Sequence, residues 1–381
     1  MDIQNCSSNA SQTCFQEASG GEIRVDFGGK LAKIMAYLVI AIVALIGNTL
    51  VIVVICRNKN LRKAINFFIL NMAISDLFIP VISIPLRLYA LFTDSVFGVW
   101  PFSGKTGLVL CKLSMFLADS SPIVSVLSLV FMTFDRFNAV VFPFKAHLVS
   151  SNVRVCLLTL SWLFAFGFCA PYFYAVKLQP YGEQDMCVLD WGPAHNQSSA
   201  MDIYSTTACV LFTIVPFVLL SIMYSIILCI LRKQSLAHPT ARQASKRRQR
   251  NNRNIVLMAL AIVFVFAFCW GPYNGFIFMV TIVWRWRIPE GIGAQLDFEI
   301  FAFVTQFLTC SNAALNPLMY FVFIENYRSA LKSLFRRRRP LENDLTETGT
   351  SYMHNLKRNS NSAEQARLIA EAINVKTRKK N

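Results

Sequence analysis

Residues 111–136 read CKLSMFLADSSPIVSVLSLVFMTFDR. An α-helix rises about 1.5 Å per residue, so this stretch reaches roughly 37 Å, one hydrocarbon core plus some headgroup layer. A cysteine stands at one end and the pair Asp135-Arg136 at the other. Between them lie apolar residues, small serines and one acid, Asp119. A helix with charges at its end and an acid inside it is a costly lipid-facing anchor. It is read here as the central helix of a bundle.

The rest of the chain agrees. It is 55% hydrophobic, 15% charged and has a mean hydropathy of +0.46, values that soluble domains rarely reach. Seven runs are long and apolar enough to span a bilayer: 34–56, 65–86, 113–134, 155–176, 203–231, 255–283 and 296–324. An odd number of spans puts the two termini on opposite sides. No internal repeat of the kind transporters often carry is visible. The formal net charge of +16 alone would point to nucleic acid. The basic residues, however, fall in the gaps between apolar runs, which is a topological signal, and no nucleic-acid partner is expected.

Arg57, Lys59, Arg62 and Lys63 follow the first run, and Arg232, Lys233, Arg242, Lys246, Arg247, Arg248, Arg250 and Arg253 lie between the fifth and sixth. The opposite side mixes signs. Positive loops stay in the cytoplasm, so the N-terminus is placed outside and the C-terminus inside. Asn5, Asn9 and Asn196 begin glycosylation triplets, all on the predicted outer side. Of eleven cysteines, seven lie within or at the ends of runs and read as apolar packing residues. Cys6, Cys14, Cys111 and Cys187 are placed outside, where oxidation favours pairing. Cys111 is paired with Cys187, and Cys6 with Cys14 as a weaker expectation.

Several residues are expensive at membrane depth. Asp76 in the second run is a functional candidate, against the reading of a hydrogen-bonded structural acid. Asp119 is either an acid paired with a polar neighbour or the counter-ion of a basic ligand. Arg87 either faces an outer cavity or snorkels to the interface. Ser125 lies deep enough to join Asp76. Pro122, Pro216 and Pro272 each remove a backbone hydrogen bond. Phe266 and Trp270, just inward of Pro272, read as core filler or as a packing hinge. Asn312, Asn316, Pro317 and Tyr320 close the seventh run, where polar amides need partners. After it, Tyr327, Leu331, Leu334 and Phe335 recur at helical spacing among basic residues, the pattern of an interfacial amphipathic helix. Arg336 to Arg339 would meet anionic lipid.

Taken in order, Gly47-Asn48, Leu70 through Asp76, Cys111 with Cys187, Asp135-Arg136, Trp162, Pro216 with Tyr224, Cys269-Trp270-Gly271-Pro272 and Asn316-Pro317-Leu318-Met319-Tyr320 resemble the motifs of rhodopsin-like (class A) G protein-coupled receptors over about residues 30–335. The resemblance implies an all-α membrane protein, a seven-transmembrane helix bundle with a short cytoplasmic amphipathic eighth helix. It implies four parts: a glycosylated extracellular segment 1–30, the bundle 31–324, the amphipathic helix 325–339 and a disordered cytoplasmic tail 340–381. Arg136, with Asp135 as its local counter-ion, is implied to meet the G protein when the receptor is on. Tyr224, Phe266, Trp270, Pro272, Asn316, Pro317 and Tyr320 are implied as switch residues. Asp76, Ser125, Asn312 and Asn316 match the family's sodium pocket; no other cofactor is implied. Two departures stand out: Phe137 replaces the usual tyrosine after Arg136, and residues 250–253 carry no acid to lock that arginine. Appreciable basal activity is the expected consequence of the missing lock.

The ligand is a separate question. No lysine occurs in 296–324, so the chain cannot hold retinal as opsins do. The position where amine receptors carry their acid is Ala118, one residue before Asp119 and turned by about 100° on a helix. The pattern resembles neuropeptide receptors, which implies a peptide agonist, with a small amine or lipid mediator as the alternative. The expected ligand-facing set is Arg87, Met115, Asp119, Tyr273, Asn274, Ile277, Glu299 and Gln306. Expected partners are an extracellular peptide, a heterotrimeric G protein, arrestin, receptor kinases and the plasma-membrane bilayer. A channel or transporter is the competing class, disfavoured by the missing repeats and the cytoplasmic Asp-Arg pair. No intramembrane metal cluster or nucleophile motif supports an enzyme.

Overall fold

Long apolar runs leave the backbone no partner but itself in a membrane, so they form helices. The computed structural model describes residues 27–58, 61, 64–93, 99–142, 150–181, 184–193, 196–237, 243–283 and 298–336. Among them, six helical runs are long and apolar enough to cross a bilayer. They are Phe27–Arg57, the run from Ala64 to Phe92, Gly104–Val141, the run from Ser151 to Ala175, the run from Gln197 to Ala237 and the run from Gln243 to Val283. Phe298–Phe323 makes the seventh span. The chain breaks at Ile324 and a short helix, Glu325–Arg336, begins. The described residues up to Ser329 belong to one compact unit. The expected spans are all present and mostly longer than read from hydropathy. The third reaches 38 residues, and Pro122 does not interrupt it.

Prolines leave local marks elsewhere. Ile79–Ser83, which contains Pro80, and Val210–Ile214, just before Pro216, are single wide π-helical turns. A proline cannot donate to the preceding turn and its ring crowds that turn's carbonyl, so an extra residue there relieves the clash. Polar side chains cap where the sequence offers them. Ser150 accepts from the Val153 N–H at 3.3 Å, and Asn196 from the Ser199 N–H at 3.3 Å.

The third span touches the second, fourth and fifth, as expected of a central helix. Ile123, Val124 and Val126 pack with Ala165, Cys169 and Phe212. On the other side Tyr37, Ile40 and Ala44 of the first span pack with Ile84, Cys310, Ala313 and Ala314. Polar residues fasten the apolar packing. Asn48 donates to the carbonyls of Ala44 and Ala313, each at 2.9 Å, tying the first span to the seventh. A Cβ at Gly47 would lie 2.7 Å from the Pro317 ring, so only glycine lets these spans approach so closely.

A small sheet adds to the helices. Val176–Tyr181 (β2) and Gln184–Leu189 (β3) pair antiparallel, and Val99–Trp100 (β1) joins the free edge of β3. Cys111 and Cys187 are bonded, their Cα atoms 5.8 Å apart, which pins β3 to the outer end of the third span. Lys177 of β2 pairs with Asp190 at 3.1 Å and donates to the Gly192 carbonyl. Trp100 is buried beside Cys111, its indole N–H on the Gly107 carbonyl at 3.0 Å. The free cysteines divide: Cys169, Cys269 and Cys310 are buried packing residues as expected, but Cys56, Cys156 and Cys229 are exposed. Cys6 and Cys14 lie outside the described residues, as do Asn5, Asn9 and the tail 340–381.

Candidate functional site

Three polar levels are stacked in the bundle. At the outer one, Asp119 lies about four turns inside the third span, Gly104–Val141, yet is exposed. Its Oδ2 accepts from the Tyr172 hydroxyl at 2.7 Å, and among the described residues its Oδ1 accepts from no donor. Arg87 is also exposed, and the two charges are close enough to act on each other and on Tyr273. Met115 packs with Trp100, Cys111, Tyr172 and Val176 beneath the sheet. Asn274 is already engaged, donating to the Thr213 hydroxyl and the Trp270 carbonyl, each at 3.0 Å. Ile277 and Gln306 are half-buried, and among the described residues no side-chain hydrogen bond joins Gln306 to Asp119 or Arg87. Only the backbone of Glu299 is described.

At the middle level Asp76 is buried between donors from two other spans. Ser125 donates to its Oδ1 at 2.7 Å and Asn316 to its Oδ2 at 2.8 Å. Ser75 meets Ser125 at 3.0 Å. Among the described residues the Oδ1 atoms of Asn312 and Asn316 are buried without partners. Beside this level Phe266 stacks on Trp270, centroids 6.1 Å apart, and Tyr273 meets Trp270 edge-on. The Trp270 indole N–H is buried and, among the described residues, has no partner.

At the inner level Asp135 serves two cations. Arg136 Nη2 lies 2.9 Å from its Oδ2, and Arg154 Nε, from the fourth span, 3.2 Å from its Oδ1. Tyr224 and Thr133 share a hydrogen bond at 2.7 Å, which ties the fifth span to the third. Tyr320 is fully buried with its hydroxyl 3.6 Å from the Met72 sulfur. Tyr327 donates to Asn66 at 3.1 Å. Burial pushes the Tyr327 phenol well above its ordinary pKa, so it remains a donor. Residues 250–252 are described by backbone alone.

The family model for the 7 transmembrane receptor (rhodopsin family) matches residues 47–320, well over half of the chain. The chain belongs to the rhodopsin family of G protein-coupled receptors. This receptor is 29% identical over 322 residues to neuropeptide FF receptor 2 of Mus musculus, covering 80% of this chain and 72% of the relative. It is 28% identical over 321 residues to a QRFP-like peptide receptor of Branchiostoma floridae, covering 82% and 79%. Neuropeptide Y receptor type 2 of Homo sapiens is 27% identical over 328 residues, covering 85% and 81%. The receptor is therefore a multi-pass membrane protein that signals through heterotrimeric G proteins, and it is not an enzyme.

Sequence reasoning missed four polar partners: Tyr172 on Asp119, Thr213 on Asn274, Ser75 beside Ser125 and Arg154 on Asp135. For Arg154 a signal existed, a basic residue at the inner end of the fourth span. Tyr172, just past the Pro171 break in that span, offered none.

Proposed function

We propose that this receptor acts in the plasma membrane, N-terminus outside, and is switched on by an extracellular peptide that carries a basic group. The exposed Asp119 carries the reading. It is an acid inside a span with one oxygen engaged by Tyr172 and the other open. An acid at this depth is a functional candidate, and its second oxygen can take a cation of the ligand. Arg87 stands near it to receive an acidic group or a carbonyl of the same ligand, with Met115, Tyr273, Asn274, Ile277, Glu299 and Gln306 as further contacts. The relatives named for neuropeptides support the peptide class. The four-part division at residues 30, 324 and 339 goes with this reading, with glycans on Asn5, Asn9 and Asn196. Staining of an N-terminal tag on unpermeabilised cells tests the orientation.

Ligand binding between the outer ends favours a bundle opened at its inner ends, a population shift through Trp270, Phe266 and Pro272 to Asn316, Pro317, Tyr320, Tyr224 and Arg136. Cells expressing the receptor with a promiscuous G protein should answer a pool of short amidated peptides with a calcium rise. That rise should vanish in Arg136→Ala at equal surface level. A response to monoamines alone would reject the peptide class. The tail 340–381, with Thr346, Thr348, Thr350, Ser351, Ser360 and Ser362, is proposed as the substrate of receptor kinases and the docking segment for arrestin. Truncation after residue 339 should then abolish arrestin recruitment but not the calcium rise.

Asp76, Asn312, Asn316 and Ser125 are proposed to hold a sodium ion. The set is all oxygen, the donor type a hard cation prefers, and two of its buried amide oxygens have no partner among the described residues. A cation there compensates Asp76 and favours the closed packing. Replacing choline chloride by sodium chloride at constant ionic strength should lower agonist affinity in the wild type. Asp76→Asn should be indifferent to the exchange. Equal sodium sensitivity in both would reject the site.

A further inference from the structure

Asp135 is the only acid among the described residues that pairs with Arg136, and it does not serve Arg136 alone. Its side chain is 7% exposed, and its two oxygens are divided between guanidinium groups from different spans. We propose that Arg154 is a positioning residue, a standby counter-ion that lowers the cost of releasing Arg136 from Asp135 when the G protein engages. The inference rests on the reading that this end of the bundle is the G-protein face.

Three observations carry it. Stripping a buried carboxylate of its sole partner is strongly unfavourable. With Arg154 on Oδ1, Asp135 keeps a charged partner after Arg136 has swung away. Second, two guanidinium groups on one carboxylate leave the cluster with a net positive charge, and each weakens the other's hold. Third, Arg136 is incompletely satisfied where it stands, because its Nε is buried without a partner among the described residues. It gains donors' worth of bonding by moving to new acceptors. An acid on the sixth span would oppose that movement, and residues 250–253 contain none. Arg154 therefore pushes the receptor toward its active arrangement. A clamp would do the opposite.

The sign makes the test decisive. Purified receptor in lipid nanodiscs, without ligand, is assayed for GTPγS uptake and for binding of a panel of nucleotide-free G protein heterotrimers. Arg154→Gln should slow uptake and weaken binding by roughly fivefold, the low end of a usual coupling. Arg154→Lys should restore both, and in an Asp135→Asn background Arg154→Gln should change neither. Rates are scaled to the folded fraction from thermal unfolding. Unchanged or faster uptake in Arg154→Gln overturns the proposal. If Arg136→Ala binds the heterotrimers as tightly as the wild type, the reading of the inner face fails instead.

Discussion

Asp119→Asn is expected to weaken a basic peptide agonist by about 2–5 kcal/mol, the usual cost of truncating one partner of a covered charge pair. At 1.4 kcal/mol per decade that is roughly thirty- to several-thousand-fold in potency. The substitution is nearly isosteric and keeps an oxygen for the Tyr172 hydroxyl, so the 2.7 Å bond survives. What disappears is the negative charge. In the free receptor the exposed acid loses little by this, since water reaches it. In the complex the peptide covers it, and its cationic group is left desolvated and unpaired. The loss should therefore appear in agonist affinity and not in surface expression. It should shrink when the peptide's basic residue is replaced by a neutral one. Radioligand competition at matched surface levels checks it, and unchanged affinity for a basic agonist would sink the charge-pair idea.

The sequence was most informative where one dimension suffices. Apolar run length decides a span, because the hydrocarbon thickness and the helical rise are constants. The Cys111–Cys187 pairing was legible because only four cysteines were placed in the oxidising compartment and these two match a motif of the family. The sheet was not. β2 begins at Val176, inside an apolar run that reads as helix, and its remaining residues are too polar to show a buried face. It is held by antiparallel pairing with β3, which the disulfide anchors to Cys111, 76 residues away in the chain.

The candidate site divides the same way. The residue types that are costly in a membrane, Asp76, Asp119, Asp135 and Arg136, announce themselves. Their partners do not. Arg154 reaches Asp135 across 19 residues and Tyr172 reaches Asp119 across 53, contacts that exist only after the helices pack. Thr213 adds a further difficulty. It sits in the wide turn Val210–Ile214, which breaks the helical period used to assign its face.

Asn71 shows how much such hidden partners weigh. Its Nδ2 donates to Ser128 at 2.8 Å and Ser161 at 3.2 Å, and its Oδ1 accepts from the Trp162 indole at 2.8 Å. One amide thus joins the second, third and fourth spans. An average interhelical hydrogen bond in a membrane is worth only about 0.6 kcal/mol. Asn71→Ala is expected to cost more, about 2–4 kcal/mol, for a reason of valence. The serine hydroxyls keep acceptors of their own, the carbonyls of Val124 and Leu158. The indole N–H can only donate, and its ring is held in place by Phe78 and Phe166. It is left as an orphan, at about 1–3 kcal/mol, and the missing amide adds a cavity term. Trp162→Phe removes the orphan, so Asn71→Ala should cost at least about 1 kcal/mol less in that background. Thermal unfolding of the four purified receptors measures the coupling. Strict additivity would mean that the indole finds another acceptor, and that Asn71 holds the three spans by packing alone.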